Sequence, residues 1–150
     1  MRVAFDTNVL VYAEGVNGAA KKHLALELLQ KIPSSDALIP VQALGELFQV
    51  LTKKAGREPA RAREAILTWR DSFPVIETSE PVLVNALELA ARHRLNIWDG
   101  VILSAAAESG CRLLLSEDMQ EGFTWRGVTV VNPFARPPHI LLEQLLGALP

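Results

Sequence analysis

The stretch VAFDTN, residues 3–8, passes from three apolar residues to three polar ones that suit a turn or a helix cap. The apolar part predicts a strand over residues 2–5, and the apolar residues 9–12 predict a helix that begins near Asn8. Asp6 therefore stands where a strand ends and a helix starts. This placement puts a carboxylate at the carboxyl edge of whatever sheet the strand joins.

The same alternation of short apolar runs and helical periodicity continues along the chain. Further strands are predicted over residues 36–39, 74–76, 112–115 and 128–131. Helices are predicted over residues 19–30, from 41 onward, over 60–69, from 82 to about 93, from 99 to 110, and after Pro138. Strands that alternate with helices form βαβ units, so we expect an α/β fold of three layers, α/β/α, with a central, mainly parallel sheet of about five short strands.

Length and composition favour one globular domain over residues 1–150. The chain has 150 residues, of which 49% are hydrophobic and 21% are charged, so it has enough apolar surface to form a core. No apolar run approaches the roughly 18 residues of a membrane span, and Asp6 interrupts the segment that a signal peptide would need. We therefore expect no membrane association and a cytoplasmic location.

The net charge of −2 argues against a protein that holds nucleic acid by overall charge alone. The charges are unevenly spread, however, because residues 53–70 contain Lys53, Lys54, Arg57, Arg61, Arg63 and Arg70. A solvated helix face is the commoner explanation of such a segment. Guidance of a nucleic-acid backbone is the functional alternative.

Four carboxylates occupy positions that the predicted topology brings together. Ligands of open parallel sheets bind beyond the carboxyl ends of the strands. Asp6 directly follows one predicted strand, and Asp118 is in the loop after another. Glu46 and Asp99 are predicted in the first turns of helices that approach the same edge. We therefore expect one cluster of acids drawn from distant parts of the chain.

Each acid also has a simple structural explanation. Asp99 and Asp6 suit helix N-caps, Asp118 suits a loop, and Glu46 suits a polar helix stripe. Gathered at one edge, however, the four would repel one another unless a cation neutralised them. Oxygen ligands of this kind suit Mg²⁺ or Mn²⁺.

Other chemistries lack their residues. No pair of His or Cys has zinc-ligand spacing, and the GxxxxGK[ST], GxGxxG, GxSxG, HExxH and CxxC motifs are missing. The lone Cys111 is expected to be buried, and the three histidines are expected at the surface or in caps. A phospho-acceptor receiver domain would share the sheet type, but it would need adjacent acids after the first strand and a lysine after a late strand.

Four segments resemble the PIN-domain family: FDTNVL at residues 5–10, Glu46 within a helix, WDGVIL at 98–103 and LSED at 115–118. VNPF at residues 131–134 is similar to an ending common in one branch of that family. The resemblance covers nearly the whole chain. One departure is Gly100, where many relatives carry alanine.

The resemblance implies a metal-dependent ribonuclease with a quartet of acids at Asp6, Glu46, Asp99 and Asp118. Mg²⁺ or Mn²⁺ would be held by the three aspartates, with Glu46 bound directly or through water. Asn8 and Ser116 would orient these groups. For the approach of the RNA backbone we add a prediction from the basic segment, namely Lys53, Arg57 and Arg61.

A lone PIN domain of this size resembles the VapC-like toxins of bacterial and archaeal toxin–antitoxin pairs. This implies an RNA substrate, a homodimer, and a small antitoxin protein as partner. Two alternatives stay open at this point: a housekeeping nuclease of RNA maturation, and a PIN-like module that binds RNA or protein without cleaving.

Overall fold

The computed structural model describes residues 1–147, in which short strands and helices alternate. The strands are β1 (Val3–Phe5), β2 (Ala37–Pro40), β3 (Val75–Ile76), β4 (Leu113–Leu115), β5 (Thr124–Trp125) and β6 (Val128–Val131). The helices are α1 (Thr7–Ala13), α2 (Ala19–Lys31), α3 (Val41–Lys53), α4 (Pro59–Ser72), α5 (Glu80–His93), α6 (Ile97–Glu108) and α7 (Ile140–Gly147).

The strands form one sheet in the order β3-β2-β1-β4-β6-β5. All neighbouring pairs are parallel except β5 and β6, which form an antiparallel hairpin. The predicted α/β/α fold with a mainly parallel sheet is confirmed. The strand beyond the five predicted is β5, which has two residues, neither of them buried, and so lacks the apolar run that marked the other strands. Its hairpin turns at Arg126 and Gly127, with φ of 46° and 85°, as tight two-residue hairpins require.

The register of β1 and β4 places the ends of these two strands side by side. Phe5 is paired with Leu115, and every residue of both strands is buried. The backbone N–H of Asp6 then donates to the carbonyl of Leu115 across 2.9 Å. Asp6 and Ser116, the next residue of each chain segment, therefore emerge together at the centre of the carboxyl edge.

A glycine allows α6 to approach α5 closely. A Cβ added to the buried Gly100 would lie 3.1 Å from the carbonyl oxygen of Ala86 on α5, which is shorter than an ordinary van der Waals contact. Gly100 directly follows Asp99 in the first turn of α6. The close contact therefore helps to set the position of that acid.

The remaining expectations concern residues away from the acids. Cys111 is buried as predicted, and burial raises the pKa of its thiol to about 12. His23 and His93 are exposed, and His139 accepts the N–H of Leu141 on its Nδ1 at the start of α7. Within residues 1–147, no helix is long and apolar enough to cross a membrane.

Candidate active site

Asp6 lies at the centre of the carboxyl edge and is 3% exposed. It is the N-cap of α1, and its Oδ1 accepts the N–H of Thr7 at 2.7 Å. Its Oδ2 accepts from the Ser116 hydroxyl at 2.7 Å and from Asn8 Nδ2 at 3.2 Å. Burial raises the pKa of Asp6 to about 6, and the charges of Asp99 and Glu46 act in the same direction, although the hydrogen bonds oppose them.

The two predicted polar helpers, Asn8 and Ser116, bind the loop after β4 to the start of α1. Asn8 Nδ2 donates to Asp118 Oδ2 as well as to Asp6, and Asn8 Oδ1 accepts the N–H of Glu117 at 3.2 Å. The Ser116 hydroxyl also accepts the backbone N–H groups of Asp118 and Met119. The two side chains thereby hold the exposed Asp118 beside the buried Asp6.

Glu46 is in the second turn of α3, which corrects the expectation that it would be in the first. Its Oε2 accepts from the Thr7 hydroxyl at 2.6 Å and its Oε1 accepts from Gln42 Nε2 at 3.1 Å. Thr7 was missed by the sequence interpretation, although it stands between Asp6 and Asn8. Thr7 directly follows Asp6, so its hydrogen bond connects Glu46 to the first residue of α1.

Asp99 is the third residue of α6 and is half-buried. The interpretation of Asp99 as a helix N-cap was wrong, because Asn96 caps α6 by accepting the N–H of Trp98 at 2.9 Å. Burial raises the pKa of Asp99, and the nearby charges of Glu46 and Asp118 raise it further. Its carboxylate is therefore directed to the acid cluster and has no capping role.

The cluster carries negative charge that the described part of the chain does not neutralise. None of the four carboxylates forms a salt bridge with a Lys, Arg or His within residues 1–147. In the same residues, no three side chains of His, Cys, Asp or Glu come close enough to enclose a metal ion as they stand. The raised pKa values of Asp6 and Asp99, together with an all-oxygen donor set, nevertheless fit a hard divalent cation.

A cavity of about 990 Å³ opens from the acids. Thr7, Asn8, Glu46 and Asp118 line one part of it. Gln49, Lys54 and Arg57 are also in its wall, so an acidic region and a basic region share one cavity. Such a distribution suits a polyanion whose reacting phosphate lies at the acids and whose neighbouring phosphates meet the cations.

Of the predicted RNA-guiding residues, the structure places Arg57 in the cavity wall and Lys53 and Arg61 outside it, both exposed. Arg57 forms an ion pair with Glu14, with 2.6 Å between Nη1 and Oε1. The neighbouring Lys54, which was not singled out, lines the cavity and forms no salt bridge within residues 1–147.

A second polar network supports the loop that carries Asp118. Tyr12 donates its hydroxyl hydrogen to Glu117 Oε1 at 2.9 Å, and Lys21 Nζ lies 2.8 Å from Glu117 Oε2. The same ammonium group lies 4.6 Å from the centre of the Phe134 ring. Burial, followed by the contact with Glu117, raises the pKa of Tyr12 to about 12. Only the tertiary structure relates these residues to the site.

The fold and the acid edge define a nuclease-like α/β domain, and the family profile described as "PIN domain" matches residues 3–120. The chain therefore belongs to the PIN domain family. This confirms the resemblance found in the sequence. No curated protein matches the chain significantly.

Solved structures of toxin–antitoxin proteins share the fold. A chain of a toxin–antitoxin complex from Klebsiella pneumoniae is 23% identical to this one. The alignment covers 88% of this chain and 98% of the Klebsiella chain, with a TM-score of 0.66. VapC20 of Mycobacterium tuberculosis, a Sarcin-Ricin loop cleaving toxin, is 20% identical over 77% of this chain and 89% of its own, with the same TM-score. VapBC2 of Rickettsia felis, bound to a promoter DNA fragment, is 19% identical over 87% of this chain and 97% of its own chain, with a TM-score of 0.63.

Proposed function

We propose that this chain is a metal-dependent endoribonuclease that hydrolyses RNA phosphodiester bonds at Asp6, Glu46, Asp99 and Asp118. The observation that carries the proposal is a cluster of acids that no Lys, Arg or His within residues 1–147 neutralises. Two of these acids, Glu46 and Asp118, line a cavity whose wall also contains Lys54 and Arg57. Such a cavity complements a phosphodiester at the acids and further phosphates at the cations.

Asp6, Asp99 and Asp118 would hold one or two Mg²⁺ or Mn²⁺ ions, with Glu46 bound directly or through water. A bound ion supplies an activated water and neutralises the negative charge that develops on the phosphate. The protein contributes orientation: Ser116 and Asn8 direct the oxygens of Asp6 and Asp118, and Thr7 directs Glu46. Mutation of side chains that orient metal ligands in this way typically lowers metal affinity or activity by about 10- to 100-fold.

RNA is the proposed substrate, approached along the basic segment through Lys53, Arg57 and Arg61, with Lys54 added from the structure. The polar residues Gln42 and Gln49 of α3 accompany these cations along the route to Glu46. Arg57 is paired with Glu14, which orients its guanidinium but offsets its charge. Lys54 is therefore the stronger candidate for a phosphate contact in this cavity.

We further propose that the chain is a single PIN domain over residues 1–150 and the toxin of a toxin–antitoxin pair. It would act in the cytoplasm as a homodimer silenced by a small antitoxin protein. The support is the fold shared with toxins of such pairs over nearly the full length of both chains.

Incubation of the purified chain with structured and unstructured RNA tests the ribonuclease proposal. Cleavage is expected with Mn²⁺ or Mg²⁺, and it should be lost with EDTA or in Asp6→Asn. Asp71→Asn, an exposed aspartate of α4, is the matched control and should cleave like the wild type. Cleavage that survives both EDTA and Asp6→Asn would sink the mechanism, and RNA binding without cleavage would favour the non-cleaving module.

Expression in a bacterial host tests the toxin proposal separately. Growth should stop on induction of the wild type and continue with Asp6→Asn. Co-expression of a small protein encoded beside this gene should restore growth. Active enzyme with undisturbed growth would instead support a housekeeping nuclease.

A further inference from the structure

A second cavity, of about 340 Å³, adjoins the acids. It is enclosed by the connection between α5 and α6 and by the loop between β4 and β5. Asp99 and Asp118 line it, and Asp118 also lines the larger cavity. A polynucleotide that places a phosphate at these acids would therefore have an adjacent nucleotide at this opening.

The lining of this cavity has the chemistry of a nucleobase site. The rings of His93 and Phe123 meet edge to face, with 5.2 Å between their centres. Met119 and Leu95 add apolar surface, and Gln120 adds an amide. Aromatic rings bind any base by stacking, and a few polar groups in an apolar pocket fix its orientation.

Arg94 places a cationic side chain at the same opening. It is the C-cap of α5, in the left-handed conformation with φ of 57° and ψ of 27°, a position that favours glycine and strains other residues. In residues 1–147 its side chain forms no salt bridge and no hydrogen bond to protein. A strained arginine without a protein partner is well suited to contact a ligand.

Arg126 also has a positive φ, but its side chain contacts the protein itself. Its φ is 46°, and its guanidinium covers the Trp125 ring at 4.5 Å. Arg126 does not line the cavity. The two residues therefore form a matched pair for experiment, with the same side chain and a positive φ in each.

We propose that the smaller cavity is a subsite for one nucleotide of single-stranded RNA next to the scissile phosphate. Its base lies against Phe123 and His93, and its phosphate contacts Arg94. The subsite rests on the proposed ribonuclease function for its position in the reaction. Its ability to bind a nucleotide can be measured without any cleavage.

Nucleotide binding is measured by NMR, from the shifts of backbone amide signals in the presence of EDTA. The protein is titrated with each 5′-nucleoside monophosphate and, as a probe without a base, with ribose 5-phosphate. We expect at least one nucleotide to shift the amides of Leu95, Gln120 and Phe123, with ribose 5-phosphate at least about fivefold weaker, as expected when stacking on one ring is lost. Equal shifts from both probes, or shifts only elsewhere, would overturn the proposal. Inactivity towards RNA with nucleotide shifts intact would refute the ribonuclease function and leave the cavity a nucleotide site.

The variants then test the two contacts on a fluorescent single-stranded RNA. Phe123→Leu keeps apolar bulk without the ring, and Arg94→Gly suits the left-handed backbone, so both should fold. Each should weaken RNA binding at least about fivefold, and Arg94→Gly should lower the salt slope by about 0.7. Arg94→Gly should melt at or above the wild-type temperature. Binding equal to that of Arg126→Gly in both variants would overturn the subsite.

Discussion

The hydroxyl of Ser116 donates to Oδ2 of Asp6 across 2.7 Å, although the two residues are 110 positions apart. This bond joins the ends of the two central strands, β1 and β4. The same hydroxyl accepts two backbone N–H groups of the loop that carries Asp118. One buried serine therefore connects two of the four acids.

Ser116→Ala should impair both activity and stability. The lost hydrogen bond lowers the pKa of Asp6 in the wild type, so its removal should raise that pKa and move the acidic limb of the pH–rate profile to higher pH. The buried N–H of Met119 and the partly buried N–H of Asp118 also lose a partner, which costs about 1–3 kcal/mol. Urea unfolding and a pH series of RNA cleavage measure these effects. An unchanged acidic limb would show that Ser116 does not tune Asp6.

Ser104→Ala should stabilise the protein, whereas Ser116→Ala should destabilise it. Ser104 in α6 is 1% exposed, and its hydroxyl has no hydrogen-bond partner within residues 1–147. Burial of an unpaired hydroxyl destabilises a protein, and alanine also has the higher helix propensity. We expect the free energy of unfolding to rise by about 1 kcal/mol, with cleavage unchanged. A loss of stability would indicate a partner that the geometry does not show.

The stability of the metal-free protein should fall as pH rises from about 4 to about 6. The folded pKa of Asp6, about 6, exceeds its ordinary value of 3.8, so the folded state binds this proton more tightly than the unfolded state. Its contribution is complete below pH 4, is lost as pH rises through 6, and amounts to about 3 kcal/mol. The raised pKa of Asp99 acts in the same direction.

Urea unfolding in EDTA between pH 4 and 7 measures this dependence. The difference in unfolding free energy between wild type and Asp6→Asn should change across this range, whereas Asp71→Asn should run parallel to the wild type. A parallel profile for Asp6→Asn would contradict the assignment.

Thr7→Val should reduce cleavage by releasing Glu46. Valine keeps the shape of threonine but cannot donate the 2.6 Å hydrogen bond to Glu46 Oε2. Loss of such an orienting contact typically costs about 10- to 100-fold in metal affinity or activity. Thr7→Ser retains the hydroxyl and should restore most of the rate. If valine and serine give the same kcat/KM, Glu46 does not depend on Thr7.

Charge reversal should separate the cations of the cavity from the rest of the basic segment. Lys54→Glu should weaken RNA binding more than Arg61→Glu, because Lys54 lines the large cavity and Arg61 does not. Each lost phosphate contact lowers the salt slope by about 0.7. Arg70→Glu, near the end of α4 and beside Asp71, is the control. If Arg70→Glu lost as much RNA affinity as Lys54→Glu, the weaker binding would be due to overall charge and not to the cavity.

Local patterns were sufficient for the fold and for the four acids as candidates. The short apolar runs before Asp6 and Asp118 favoured buried strands. A carboxylate follows the first run directly and the second within three residues. Patterns were insufficient where two local rules compete. Both Asn96 and Asp99 suit a helix cap, and the choice of Asn96 follows from where α6 begins against α5.

The sequence by itself determined the alternation of strands and helices, the strand-then-acid motifs and the family, because hydrophobic periodicity and short motifs are local properties. Only the tertiary structure decided which groups meet. The pairing of Phe5 with Leu115 brings Ser116 to Asp6, Thr7 reaches Glu46, and Lys21 reaches Glu117. These contacts join residues 39 to 110 positions apart. They depend on sheet register and helix packing, which no local pattern contains.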